Sequence, residues 1–202
     1  MLAALVLTDA CNLGCSYCYN ACNSSPSMSV ESACKIISEI SRVHKDEPLE
    51  LILHGGEPLL YGVDRLRELV SHARKNVKSS LTFSMTTNGT MLTQEAARFL
   101  AEERFYVRVS VDPPEENTRP FRLGGTSSHS RAVEGLRMLR EHVPSVGMVT
   151  TLSRENVSQY LSCYELAKEL ELKQYEVGFV KGPASPSSQQ HASVLSDLAQ
   201  RF

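Results

Sequence analysis

Apolar and β-branched runs recur along this chain with helix-patterned segments between them, and that alternation restricts the fold more than any other feature. Strand-like runs lie at 3–8 (AALVLT), 49–54 (LELILH), 81–86 (LTFSMT), 106–111 (YVRVSV), 146–151 (VGMVTT) and 175–180 (YEVGFV). Helical periodicity occupies 29–44, 63–76, 93–103, 128–142, 157–170 and about 189–201. Thr93, followed by Gln94 and Glu95, is placed as one helix cap, and Asn156 as another. Strand and helix in strict alternation predict a parallel sheet with right-handed crossovers. An eight-unit barrel takes about 250 residues, and this chain has 202. The expected architecture is therefore α/β, a partial (β/α)6 TIM-like barrel with parallel strands. In such folds chemistry gathers in the loops at the C-terminal ends of the strands, so motifs located there carry functional weight.

Residues 1–182 are expected to form this core, with 183–202 a linker and terminal helix that could begin a further C-terminal region. The stretch Gly182-Pro183-Ala184-Ser185-Pro186-Ser187-Ser188 is the linker-like segment. With 21 basic against 23 acidic residues, evenly mixed, nothing suggests a nucleic-acid partner. No apolar stretch reaches the roughly 20 residues that cross a bilayer, so no membrane is expected. The apolar opening Met1–Leu7 has no basic flank and runs straight into Thr8-Asp9-Ala10-Cys11, so it reads as a buried strand of a cytoplasmic protein.

Four of the six cysteines, Cys11, Cys15, Cys18 and Cys22, fall within twelve residues directly after the first strand. That is the distribution of a metal site rather than of a disulfide framework. Three thiolates at spacings of four and three can face one centre from a single loop. An iron–sulfur cluster normally takes four, so three would leave one iron open. Cys22 supplies a fourth thiol, and a closed zinc site with four thiolate ligands is the competing reading. Cys34 and Cys163 sit in helical patterns and read as small buried hydrophobes.

Other strand ends carry motifs too. His54 is followed by Gly55-Gly56-Glu57-Pro58, where the glycines admit close approach to the backbone and the carboxylate can accept from an ammonium. The third strand ends in Thr86-Thr87-Asn88-Gly89-Thr90, and Asn-Gly alone is an ordinary turn signal. The fourth ends in Ser110-Val111-Asp112, with Arg119 and Arg122 in the loop beyond. Gly124-Gly125-Thr126-Ser127-Ser128 opens the next helix.

CxxxCxxC after a first strand, with Tyr17 before its last cysteine, resembles the signature of the radical S-adenosylmethionine superfamily. GGEP, TNG and SxD…R at successive strand ends strengthen the likeness. The last pattern is similar to that of the SPASM-type peptide- and protein-modifying subgroup, which includes the anaerobic sulfatase-maturating enzymes; Pro113 stands where that subgroup has Gly. The resemblance implies a [4Fe–4S] cluster on Cys11, Cys15 and Cys18, with S-adenosyl-L-methionine on its open iron. It implies cofactor contacts from Tyr17, Gly55, Gly56, Glu57, Thr87, Asn88, Ser110, Asp112 and Arg122, with Arg119 competing for the last role. It further implies an external one-electron donor of flavodoxin or ferredoxin type, and a 5′-deoxyadenosyl radical that abstracts hydrogen from a peptide or protein substrate. A small-molecule enzyme similar to 7-carboxy-7-deazaguanine synthase, or a catalytically incomplete Fe–S or zinc module, are the alternatives. No cysteine follows Cys163, so the auxiliary clusters of the SPASM extension cannot be built from this sequence, and no general acid or base is assigned.

Overall fold

Alternate residues of the first four strands are buried beneath helices. Leu5, Leu7, Leu51, Leu53, Phe83, Met85, Val107 and Val109 all lie in one continuous core. The computed structural model describes residues 1–20, 27–114 and 127–201. Its strands are β1 (Leu2–Thr8), β2 (Leu49–Gly55), β3 (Leu81–Thr87), β4 (Tyr106–Ser110), β5 (Gly147–Leu152) and β6 (Tyr175–Phe179). Between and after them run α1 (Val30–Val43), α2 (Val63–Asn76), α3 (Gln94–Glu102), α4 (His129–His142), α5 (Tyr160–Glu169) and α6 (Ser188–Arg201).

All five strand pairings are parallel, and the spatial order is the sequence order, β1 to β6. A sheet wound in one direction only, with crossovers of one hand, carries its helices on one face. That is the barrel arrangement and not the doubly wound one, which needs a reversal of order. The expected partial (β/α)6 barrel is therefore the fold observed, with β1 and β6 as its edges. The face away from the helices is mixed in character. Val6 is half exposed there, Ser84 donates to Glu50 at 2.8 Å, and Arg108 pairs with Glu176 at 2.7 Å. No described helix is long and apolar enough to cross a membrane.

Packing explains why the strands hold their register. Phe83 and Phe105 stack with ring centroids 5.2 Å apart, and Phe99 closes on Phe105 at 5.6 Å. A smaller cluster of Leu152, Val157, Tyr164, Val194 and Leu198 lies where α6 meets the β5–β6 side of the sheet.

The predicted caps divide. Thr93 accepts from the Ala96 N–H at 3.2 Å, as a helix cap does. Asn156 does not cap: its carboxamide accepts from the Ser153 N–H and donates to the Thr151 carbonyl. It stabilises the loop after β5 instead, and the predicted 157–170 helix begins as a tight turn at Val157–Gln159 before α5. Cys163 is buried as expected, whereas Cys34 is only half-buried on α1.

Candidate cofactor site at the strand ends

The connection from β1 to α1, residues 9–29, is long for its kind, and its described part folds over the C-terminal ends of the strands. The segment turns at Cys15–Cys18, where the Cys18 N–H donates to the Cys15 carbonyl at 3.1 Å. Leu13 is buried and anchors the loop. Asn12 donates to Thr90 at 2.8 Å and accepts from Asn88 at 2.9 Å, while Asn20 donates to the Asp9 carbonyl. The cysteine loop is thus tied both to its own strand and to β3.

A cavity of about 190 Å³ opens beside this loop. Cys11, Cys15, Tyr17 and Cys18 line it from the β1 side, His54, Gly55 and Gly56 from β2, Thr87 and Asn88 from β3, and Ser110 from β4. Nine of the predicted site residues therefore meet around one space. Arg122 lies outside the described residues, as do Cys22, Arg119 and positions 124–126.

Glu57 and Asp112 are not among the residues that line the cavity. Glu57 has no exposed surface. Its Oε1 accepts from the Leu59 N–H at 3.0 Å and the Thr87 hydroxyl at 2.8 Å, and its Oε2 from the Asn88 N–H at 2.7 Å. The carboxylate clamps the β2 loop to the end of β3, behind the cavity wall. Asp112 is likewise buried; it accepts from the Tyr17 hydroxyl and from the Thr151 N–H.

The glycines also have a cause beyond ligand access. A Cβ on Gly56 would stand 2.5 Å from the Ala10 carbonyl oxygen, so only glycine lets the β2 loop pass the cysteine loop. The passage is pinned by Gly56 N–H to Thr8 and Glu57 N–H to Ala10, both at 2.8 Å. Gly89 has φ +77°, the left-handed turn that brings the Asn88 side chain round to Cys11 and Asn12.

Sulfur acceptors complete the environment. Cys11 Sγ accepts from the Leu13 N–H at 3.4 Å and from Asn88 Nδ2 at 3.8 Å, and Cys18 Sγ from the Asn20 N–H at 3.4 Å. Burial pushes the Cys11 thiol above its ordinary value, the Leu13 N–H opposes that, and the Glu57 charge adds to it. A bound cation reverses this balance, because it favours the thiolate. Among the described residues no three His, Cys, Asp or Glu side chains close on a single ion. A thiolate zinc cage needs sulfurs roughly 3.8 Å apart, given bonds of about 2.3 Å. Three thiols lining one cavity, with N–H donors to two of the sulfurs, fit a multi-iron cluster.

Tyr19, Asn20, His54, Thr86 and Thr151 also line the cavity and were given no site role by the motifs. His54, Thr86 and Ser110 share one strand face by period-two alternation, a signal that was present at the strand ends. Asn12 was visible only as a spacer within CxxxCxxC.

Residues 5–167 match the sequence profile of the Radical SAM superfamily. The AdoMet-dependent heme synthase of Methanosarcina barkeri is 32% identical over 89% of this chain and 50% of its own length. The cysteine-type anaerobic sulfatase-maturating enzyme of Clostridium novyi is 25% identical over 81% of this chain and 46% of its own. The chain thus spans about half the length of the curated relatives it matches. Its fold is shared with native anSMEcpe with bound AdoMet, at TM-score 0.88 and 20% identity, over 100% of this chain and 59% of that one. Members of the superfamily use a [4Fe–4S] cluster and S-adenosylmethionine. With its profile covering most of the sequence and its fold the same partial barrel, the chain belongs to the radical SAM superfamily.

Proposed function

We propose that Cys11, Cys15 and Cys18 hold one [4Fe–4S] cluster, and that S-adenosylmethionine occupies the adjoining cavity. The observation that carries this reading is the convergence of those thiols with Gly55, Gly56, Asn88 and Ser110 on one space at the strand ends. Once bound, the two groups would supply reductive cleavage to methionine and a 5′-deoxyadenosyl radical that takes a hydrogen atom from the substrate. The protein's own residues then bind, orient and exclude water. Leu13 shields the cluster side, and the N–H donors to Cys11 and Cys18 tune the sulfurs. The backbone of Gly55–Gly56 and the Ser110 side chain face the methionyl group, with Arg122 its cation. Glu57 serves by holding the wall rather than by contact.

The substrate we infer is a peptide or protein side chain, reduced-cluster electrons coming from a flavodoxin- or ferredoxin-like donor in the cytoplasm. Support comes from neighbours of the same fold. One is anSMEcpe with bound AdoMet and Cp18Cys peptide, and another is Streptococcus suis SuiB bound to precursor peptide SuiA. A small-molecule substrate is the second reading, favoured by the 32% identity to a protein named a heme synthase.

Anaerobic reconstitution tests the core of the proposal. About four irons per chain are expected, and dithionite with S-adenosylmethionine should release 5′-deoxyadenosine. Cys15→Ala should abolish iron uptake and Cys22→Ala should leave it intact. Equal loss in both variants, or zinc in place of iron, would refute the three-cysteine site.

A further inference from the structure

Asp112 is 3% exposed and joins three segments that are distant in sequence. Its Oδ2 accepts from the Tyr17 hydroxyl, and its Oδ1 from the Thr151 N–H at 2.8 Å. Its backbone carbonyl meets His129 Nδ1 at 2.8 Å, at the start of α4. One residue thus ties the cysteine loop to the ends of β4 and β5. Asn12 links the early part of that loop to β3, and Asn20 links its far side to β1. Tyr17 is the anchor from within the Cys15–Cys18 turn to the second half of the sheet.

A hydroxyl donating to a buried carboxylate is a strong, directional bond, and it leaves a poorly solvated charge if removed. With its oxygen engaged, the Tyr17 ring is fixed while still lining the cavity. We propose that Tyr17 is a positioning residue. Its bond to Asp112 sets the Cys15–Cys18 turn against the β4–β5 end, and so sets how the thiols face the S-adenosylmethionine cavity. This inference rests on the cluster reading above.

The test compares the whole chain with Tyr17→Phe, Asp112→Ala and Asp112→Asn, each reconstituted anaerobically. The readouts are iron content, the electron paramagnetic resonance signal of the reduced protein with and without S-adenosylmethionine, and the Kd for S-adenosylmethionine. All four proteins should hold the same iron. Tyr17→Phe and Asp112→Ala should weaken S-adenosylmethionine binding about tenfold, the worth of one charge-assisted hydrogen bond, and should blunt the ligand-induced change in the signal. Asp112→Asn should stay close to the parent, because its carboxamide can still accept from Thr151 N–H and can donate to the phenol oxygen. Parent-like Kd and signal in Tyr17→Phe would overturn the latch, as would equal damage in the two Asp112 variants. Amide exchange in the metal-free protein separates the two ideas. Faster exchange across residues 12–20 in Tyr17→Phe supports the latch even if the parent takes up no iron, and unchanged exchange defeats it whatever the iron content.

Discussion

Two tyrosine–aspartate pairs mark opposite regimes of this molecule. At the strand ends Tyr17 donates to Asp112, which is buried and also holds the Thr151 N–H. At the C-terminal corner Tyr160 donates to Asp197, whose carboxylate is about a third exposed and shared with Arg201 at 2.9 Å. The chemistry is the same and the consequence is not. Inside, the charge has little solvent to replace a lost donor, so the geometry around it is fixed. Outside, water takes the donor's place, and the pair guides the seating of α6 without deciding it. The site end is therefore braced by buried polar groups, and the corner by side-chain packing.

Glu57→Ala probes the braced end most severely. It leaves the Leu59 and Asn88 N–H groups and the Thr87 hydroxyl without their acceptor in a site with no solvent access. Each stranded donor costs about 1–3 kcal/mol, so a loss of at least about 3 kcal/mol is expected by chemical denaturation. The change should also detach the β2 loop from the end of β3, seen as accelerated amide exchange at Asn88. A loss below about 1 kcal/mol would mean that the carboxylate is not the clamp described.

Leu198→Ala tests the packed corner. Leu198 is 9% exposed within the small cluster beside Val194, Tyr164 and Leu152. Truncation of a core leucine costs about 2–5 kcal/mol, and this rim position belongs near the lower end, about 2 kcal/mol. The effect should stay local, loosening α6 while iron uptake remains at the parent level. Iron loss in this variant would erase the distinction between the two regions.

The legibility of the two regions in sequence also differs, for physical reasons. Strand positions followed directly from apolar runs, because period and burial act locally, and parallel pairing from their alternation with helices. Cys11, Cys15, Cys18, Gly55, Gly56, Asn88 and Ser110 were legible as members of one site because they fall at strand ends. The hydrogen bonds that Glu57 and Asp112 make within the protein were not. Whether a carboxylate faces a ligand or turns back to hold N–H groups depends on loops that meet only in three dimensions. The same holds for Gly56, which looks like a ligand-approach glycine and is required by the Ala10 carbonyl at 2.5 Å from its missing Cβ. Asn156 failed as a predicted cap because its carboxamide found the Ser153 N–H and the Thr151 carbonyl first.

The smallest effect is expected at the partly exposed pair of Tyr160 and Asp197. Arg201, and after it the Tyr160 hydroxyl, hold the Asp197 carboxyl below the usual carboxylate range. A carboxyl lowered in the folded state adds stability above its unfolded value and loses it as pH falls through the folded one. The contribution of Asp197 is thus intact at neutral pH and should fade only below about pH 4, near the ordinary carboxylate value. Tyr160→Phe should lower Tm by no more than about 2 °C at pH 7, and the gap from the parent should close as the pH drops below that point. Faster exchange confined to α6 should accompany it. A gap that persists in acid would assign the loss to packing of the Tyr160 ring instead of to its bond with Asp197, and the contrast between the two pairs would then rest on burial of the rings and not of the charges.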